Sequence, residues 1–323
     1  MPQMTMREAI RSALQELLNT DPSVFLMGED IGAYGGSYAV TSGFLDQYGE
    51  ERIRDTPIAE SVLVGAGIGA AMNGLRPIIE LMTINFSLLA IDQIVNHAAK
   101  IYYMFGGQQP IPLVIRTVSG GGAMLGPTHS QSLEGWYASV PGLKVVCPAF
   151  PADAKGLLLA AARDNNPVLF VEHQGLYRIR GDVPTGSYEI PLGVSNVVRA
   201  GKDVTLVAYS RSVHVALEAA EKLAEQGMQA EVIDLRCLRP LDLDPVFASV
   251  RKTNRACVVE EAWRTGGFCA EIVGAIQEHC FDDLDGPVMR VGSADVPFPY
   301  NRTLEQAAMP QPEKVVEAVL ATV

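Results

Sequence analysis

Two rhythms of apolar residues alternate along this chain. Short, mostly apolar runs lie at 23–27, 78–84, 111–118, 143–147 and 168–172. Between them, at about 61–73, 86–104, 132–139 and 151–164, lie helical patterns. The short runs predict strands buried on both faces, and the longer patterns predict helices with one apolar side. At the amino terminus, Thr5 and Glu8 carry the signature of a capping box, and Ile10, Ala13, Leu14, Leu17 and Leu18 fall on one helical face behind it. Residues 28–36 read as a glycine-rich loop.

The rhythm breaks at 182–193 and then restarts. Strands are expected at 204–209, 230–235, 256–260 and 287–292, and helices at 212–226, 243–252, 267–280 and 311–321. In the first of these helices Val213, Ala216, Leu217, Ala220, Leu223 and Ala224 share a face, and Gly227 is a natural stop. The expectation is an α/β fold of two domains, each a parallel sheet built from βαβ units. We place the first domain at 1–185, a linker at 186–198 and the second domain at 199–323. In such sheets ligands bind beyond the carboxyl ends of the strands.

Composition narrows the function classes. The 323 residues are 48% apolar and 19% charged, which suits a packed core and argues against disorder. A net charge of −12, from 25 basic and 37 acidic residues, disfavours nucleic acid and anionic membranes as partners. The longest apolar stretch, 62–72, is too short to span a bilayer, and the first eight residues hold no apolar signal core. Cys147, Cys237, Cys257, Cys269 and Cys280 are odd in number and form no CxxC pair. They predict buried thiols in a reduced, cytoplasmic protein and indicate no metal site.

The stretch Asp55-Thr-Pro-Ile-Ala-Glu60 is the focus of candidate chemistry. It turns at Pro57 and sets Glu60 at the head of a run that is otherwise apolar or small. A carboxylate there is costly to ionise and tends to hold or share a proton, which suits acid–base catalysis. The plainer reading is an acid in the first turn of a helix, where the macrodipole favours it. Residues 62–70, with Gly65, Gly67 and Gly69, imitate a dinucleotide fingerprint, and Glu80 imitates its ribose ligand. The spacing opposes that reading: the acid belongs about 20 residues beyond the glycines, and Glu80 comes too soon, with Pro77 between. A helix of small residues that lets another backbone approach, as at a subunit contact, is the alternative.

Several motifs, in order, carry a resemblance over essentially the whole chain. They are Gly28-Glu-Asp30 with Tyr34-Gly-Gly36, Asp55 to Glu60, Glu80-Leu-Met-Thr-Ile-Asn-Phe86, Asp92-Gln-Ile-Val-Asn96, Pro127-Thr-His129-Ser-Gln131, Pro141-Gly-Leu-Lys-Val-Val146 and Arg163-Asp-Asn-Asn-Pro167. In the second domain Val232-Ile-Asp-Leu235, Arg239-Pro-Leu-Asp242 and Glu260-Glu-Ala262 continue it. Together they resemble the beta subunits of the thiamine-diphosphate-dependent 2-oxo acid dehydrogenases, most of all the pyruvate dehydrogenase first component. The resemblance implies a pyrimidine-binding domain followed by a transketolase C-terminal-like domain. It also implies oxidative decarboxylation of pyruvate, with the acetyl group passed to a lipoyl group.

The same resemblance assigns roles. Glu60 meets the ring nitrogen of the cofactor's aminopyrimidine, and the proton shared there favours the imino tautomer that activates the thiazolium carbon. Met82 and Phe86 pack on the aminopyrimidine; taken alone, both read equally well as core residues. His129 enters the active site and helps handle the acyl group and the lipoyl arm; taken alone, it reads as a surface or capping histidine. His97 and His173 read as structural. Residues 161–167 end a helix with free carbonyls. The family places potassium at such an end, with Ala161, Ala162, Asp164, Asn166 and the carbonyl at Leu113, and a plain helix cap is the alternative. No Gly-Asp-Gly motif for Mg²⁺ and diphosphate occurs in the chain. That end of thiamine diphosphate is therefore expected on an alpha subunit, in an α₂β₂ heterotetramer docked to a dihydrolipoyl acyltransferase. The second domain shows no obvious nucleophile or acid–base cluster. Branched-chain 2-oxo acid and acetoin dehydrogenases share the chemistry, and a non-catalytic scaffold is the reading from another class.

Overall fold

The computed structural model describes residues 1–322. The chain divides into two compact units. The first holds Met1–Ser119 and Trp136–Leu192, and the second holds Gly120–Gly135 and Gly193–Val323. The division therefore differs from a single cut in the expected linker, because residues 120–135 group with the second unit.

In the first unit, β1 (Gln3–Thr5) leads into α1 (Met6–Thr20). The capping box is formed: Glu8 N–H donates to Thr5 Oγ1 at 3.2 Å, and Thr5 N–H donates to Glu8 Oε2 at 2.7 Å. The elements that follow are β2 (Val24–Gly28), α2 (Phe44–Tyr48), β3 (Ile53–Asp55), α3 (Glu60–Met72), β4 (Arg76–Leu81), α4 (Ile101–Met104) and β5 (Val114–Ser119). After α5 (Glu134–Ala138) come β6 (Lys144–Val146), α6 (Pro151–Arg163), β7 (Val168–His173) and β8 (Arg180–Asp182), which pairs antiparallel with β1. Six strands of this unit run parallel in the order β6-β7-β5-β4-β2-β3. β2, β5 and β7 are buried at every position, as two-face coverage requires. Gly28 faces Glu80 across the β2–β4 register, and a Cβ on Gly28 would lie 2.8 Å from the Glu80 carbonyl oxygen, so no side chain fits there.

The continuous helix expected over 86–104 is broken into three. A 3₁₀ turn covers Phe86–Ala90, a π-turn covers Gln93–Ala98, and α4 follows. Ser87 is buried here, and its hydroxyl bonds both the Ile84 carbonyl and the Tyr137 hydroxyl at 2.6 Å. A serine that bonds its own turn in this way competes with regular helix pairing.

The second unit carries β9 (Asn196–Arg199), β10 (Val204–Ala208), α7 (Arg211–Glu225), β11 (Ala230–Asp234), β12 (Cys237–Arg239), α8 (Asp244–Thr253), β13 (Ala256–Trp263), α9 (Cys269–Cys280), β14 (Met289–Ser293), α10 (Arg302–Ala308) and α11 (Pro312–Leu320). Its five-stranded sheet has the order β14-β13-β10-β11-β9, parallel except for β9. β9, β12 and α10 were not expected, since each is too short to show a period. No described helix is long and apolar enough to cross a membrane.

Candidate active site

Glu60 is the first residue of α3, and it is buried with 4% of its surface exposed. The glycines at 65, 67 and 69 lie inside this helix rather than in a strand-to-helix turn, so the dinucleotide look-alike has no phosphate loop. The helix begins at Ala59, whose side chain cannot cap. Glu29 instead holds the residue ahead of the helix: its Oε1 accepts the Ala59 N–H at 3.2 Å. Glu29 follows β2 and is also buried. Asp55 holds the same loop, accepting the N–H of Gly32 at 2.6 Å and that of Ala33 at 3.2 Å. Burial, and next the charge of Glu60, push the Glu29 carboxyl above its ordinary range. Among the described residues, none donates a hydrogen bond to the Glu60 carboxylate. A buried carboxylate without a donor in its own chain leaves its oxygens to a partner from outside the chain.

Met82 is the first residue past β4, and Phe86 opens the 3₁₀ turn that packs on α3. Both are half-buried, which leaves part of each side chain accessible. Glu29, Glu60 and Met82 thus all follow the carboxyl ends of strands of one sheet, where such sheets form sites. Beneath them lies an ion triad absent from the sequence reading. Arg116 on β5 grips Glu172 with two donors, at 2.7 and 3.0 Å, and Glu80 with a third at 2.6 Å. The Tyr177 hydroxyl donates to Glu172 at 2.6 Å. Burial opposes the charge on Arg116, but its two carboxylate partners prevail and hold the guanidinium protonated. The only signal in the sequence was a lone arginine within a buried strand pattern.

His129 belongs to the second unit, whereas Glu60, Met82 and Phe86 belong to the first. Its ring is exposed, with the Thr128 hydroxyl 2.9 Å from Nδ1. Its loop returns on itself, with Gly120 N–H donating to the Gln131 carbonyl at 3.3 Å. Glu134, at the end of this segment, is buried near Glu260 and Glu261. Burial first, and the two neighbouring acids next, push its carboxyl up to about 8. No local spacing could have revealed this grouping, since Glu134 lies far along the chain from Glu260 and Glu261. His173 accepts the Gly175 N–H at 3.0 Å, and His97 faces Asp92 at 3.8 Å, so each has a local partner.

The helix-end oxygens are engaged by side-chain cations of the same chain. Arg76 Nη1 donates to the carbonyls of Ala162 and Asp164, both at 3.0 Å. Lys144 pairs with the Asp164 carboxylate, whose other oxygen accepts the Asn166 main-chain and amide N–H groups at 2.8 and 3.0 Å. Burial raises the Asp164 carboxyl, but Lys144 and Asn166 outweigh it and hold the group below its usual value. The Ala161 carbonyl accepts the Asp164 N–H, and the Leu113 carbonyl accepts the Val168 N–H. A potassium ion would share Ala162 and Asp164 with Arg76, through the second lone pair that each carbonyl keeps. Arg76 and Lys144 already supply positive charge at this helix end.

None of the five cysteines forms a disulfide and all are buried, and burial pushes the Cys257 thiol up to about 12. Among the described residues, no group of three or more His, Cys, Asp or Glu is arranged to hold a metal ion.

Comparison with known proteins identifies the family. The family model for the transketolase pyrimidine-binding domain matches residues 2–180, and that for the transketolase C-terminal domain matches 193–315. The chain is 50% identical over 320 residues to "Pyruvate dehydrogenase E1 component subunit beta-1, mitochondrial" of Arabidopsis thaliana, covering 98% of this chain and 88% of that one. It is 48% identical over 319 residues to "Pyruvate dehydrogenase E1 component subunit beta" of Porphyra purpurea, covering 99% and 96%. The solved structure "Split gene transketolase, inactive beta4 tetramer" is similar with a TM-score of 0.79 and 25% identity, covering 99% of this chain and 98% of that one. The chain belongs to the transketolase-like, thiamine-diphosphate-dependent family, among the beta subunits of the pyruvate dehydrogenase E1 component.

Proposed function

We propose that this chain is the pyrimidine-side half of a two-chain pyruvate dehydrogenase. The reaction is pyruvate plus a lipoyl disulfide plus a proton, giving CO₂ and S-acetyldihydrolipoyl. The observation that carries the reading is the buried Glu60 carboxylate at the head of α3, with Glu29 on the preceding main-chain N–H.

Bound thiamine diphosphate would supply the nucleophilic carbon and the electron sink for decarboxylation. The residues of this chain suit its pyrimidine end. Glu60 would hold or give a proton at a ring nitrogen, in a setting whose low polarity strengthens the exchange. Met82 and Phe86 would pack a sulfur and an aromatic face on the flat ring. His129 would serve the passage of the acetyl group to the lipoyl sulfur. The diphosphate and Mg²⁺ would be held by an alpha subunit in an α₂β₂ assembly, which a dihydrolipoyl acyltransferase would join. Exposed apolar side chains support such a partner: Ile58 and Val62 at α3 are 75% and 70% exposed, and Tyr103 on α4 is 87% exposed. Residues 186–198 would link the two domains, and five buried thiols suit a reducing compartment, read as the cytoplasm. Potassium at the end of α6 would be structural only. A melting point raised by KCl over NaCl at equal ionic strength would support that ion, and equal melts would remove it.

The test uses the tagged chain with whatever chain co-purifies. Pyruvate-dependent reduction of a dye is measured with Mg-thiamine diphosphate. Glu60→Gln should slow it by roughly 10²–10⁴-fold, the usual reach of a general acid–base group. Unchanged activity would favour the scaffold. Activity with branched 2-oxo acids or acetoin in place of pyruvate would keep the chemistry and change the substrate.

A further inference from the structure

We propose that Glu305 and Glu261 are positioning residues for His129: two buried carboxylates of the second unit grip the main chain of its loop. The inference rests on the role given to His129 above and adds the groups that hold it in place.

The loop from Gly120 to Gln131 is glycine-rich and exposes Met124 and Leu125. Two acids that are almost wholly enclosed hold its main chain. Glu305, on α10, is 1% exposed, and both its oxygens accept the Met124 N–H, at 3.0 and 3.2 Å. Glu261, on β13, is 4% exposed and accepts the Gly121 N–H at 2.7 Å. Its other oxygen is held by Arg211 at 3.0 Å. Burying a carboxylate is costly unless it is well bonded, and charge-assisted bonds to N–H groups are strong.

Met124 adopts φ 59, a left-handed conformation that a non-glycine residue keeps only when its surroundings impose it. The Glu305 carboxylate on its N–H is such a constraint. Two residues on, Gly126 lies flat against Tyr300: an added Cβ would come 2.2 Å from the ring. His129 N–H then donates to the Gly126 carbonyl at 3.3 Å. The path from α10 to the imidazole is therefore short: Glu305 sets Met124, Tyr300 seats Gly126, and Gly126 carries His129.

The experiment compares two readouts in the assembled enzyme, dye reduction and acetyl transfer to free lipoamide. Glu305→Ala should slow lipoamide transfer at least about tenfold more than it slows dye reduction. Glu305→Gln, whose amide oxygen still accepts the Met124 N–H, should recover most of the difference. The His129→Ala, Glu305→Ala double variant should transfer no more slowly than His129→Ala, because the two act as one unit. Equal slowing of both readouts by Glu305→Ala, including loss through misfolding, overturns the proposal, as does no slowing of either. If His129→Ala leaves lipoamide transfer intact, the role of His129 itself fails. If His129→Ala abolishes transfer while Glu305→Ala leaves the ratio unchanged, only the positioning fails.

Discussion

Glu29 and Glu60 flank a single main-chain hydrogen bond: Glu29 Oε1 accepts the N–H of Ala59, the residue immediately before Glu60. One buried acid thus orders the first turn of the helix that presents the other. The arrangement keeps two carboxylates close, and the cost shows in Glu29, whose carboxyl is raised by burial and by the charge of Glu60.

Substitution at Glu29 should separate its acceptor from its charge. Glu29→Ala leaves the Ala59 N–H without its partner and should cost about 1–3 kcal/mol in urea unfolding of the assembled protein. Glu29→Gln keeps an acceptor and should cost less. Equal costs for the two variants would show that the hydrogen bond does not order the start of α3.

Arg116→Met should be the most damaging change in the first sheet. It strands Glu80 and Glu172 inside without their cation, a loss of about 3–5 kcal/mol by analogy with other broken buried pairs. Thermal unfolding checks it. Replacing Arg116, Glu80 and Glu172 together with apolar residues of similar volume should recover much of the loss.

Glu134 predicts a pH dependence of stability with a definite sign. Its carboxyl is raised from an ordinary 4.5 to about 8, so the folded state binds its proton more tightly than the unfolded chain does. Its contribution is fully present below the unfolded value and is lost as pH climbs through the folded value. Glu134→Gln should therefore gain on the parent protein as pH rises, melting relatively higher at about pH 8.5 than at about pH 5. Parallel melting curves across this range would show that Glu134 is not the group responsible.

Val62→Arg and Tyr103→Asp should weaken recovery of the co-purifying chain without lowering the melting point of this one. Both side chains are exposed here, so a charge costs little in the isolated chain and much in an apolar interface. Full recovery with both variants would place the partner elsewhere.

Much of the fold was legible because it is written locally. Mostly apolar runs marked β2, β5 and β7, and the period in 6–20 together with Thr5 and Glu8 marked α1 and its cap. Glu60 stood out as an acid ahead of an apolar helix, a contrast visible within a dozen residues. The stretch 86–104 was misjudged as one helix, because its hydrophobic period persists while the buried Ser87 takes its bonds from Ile84 and Tyr137. Glu29, Asp55 and Arg116 could not be given roles from spacing, since their partners lie 22 to 56 residues away.

The sequence by itself determined the alternation of strands and helices, the start of α1 and the place of Glu60 at a helix head. These depend on periodicity and on neighbours within a few positions. Only the tertiary structure decided that Glu29 holds the N–H just ahead of the helix of Glu60, that Arg116 joins Glu80 to Glu172, and that the loop of His129 belongs with the second unit. Each of those depends on which distant main-chain and charged groups strand register brings within about 3 Å, and on burial that makes an unmet partner costly.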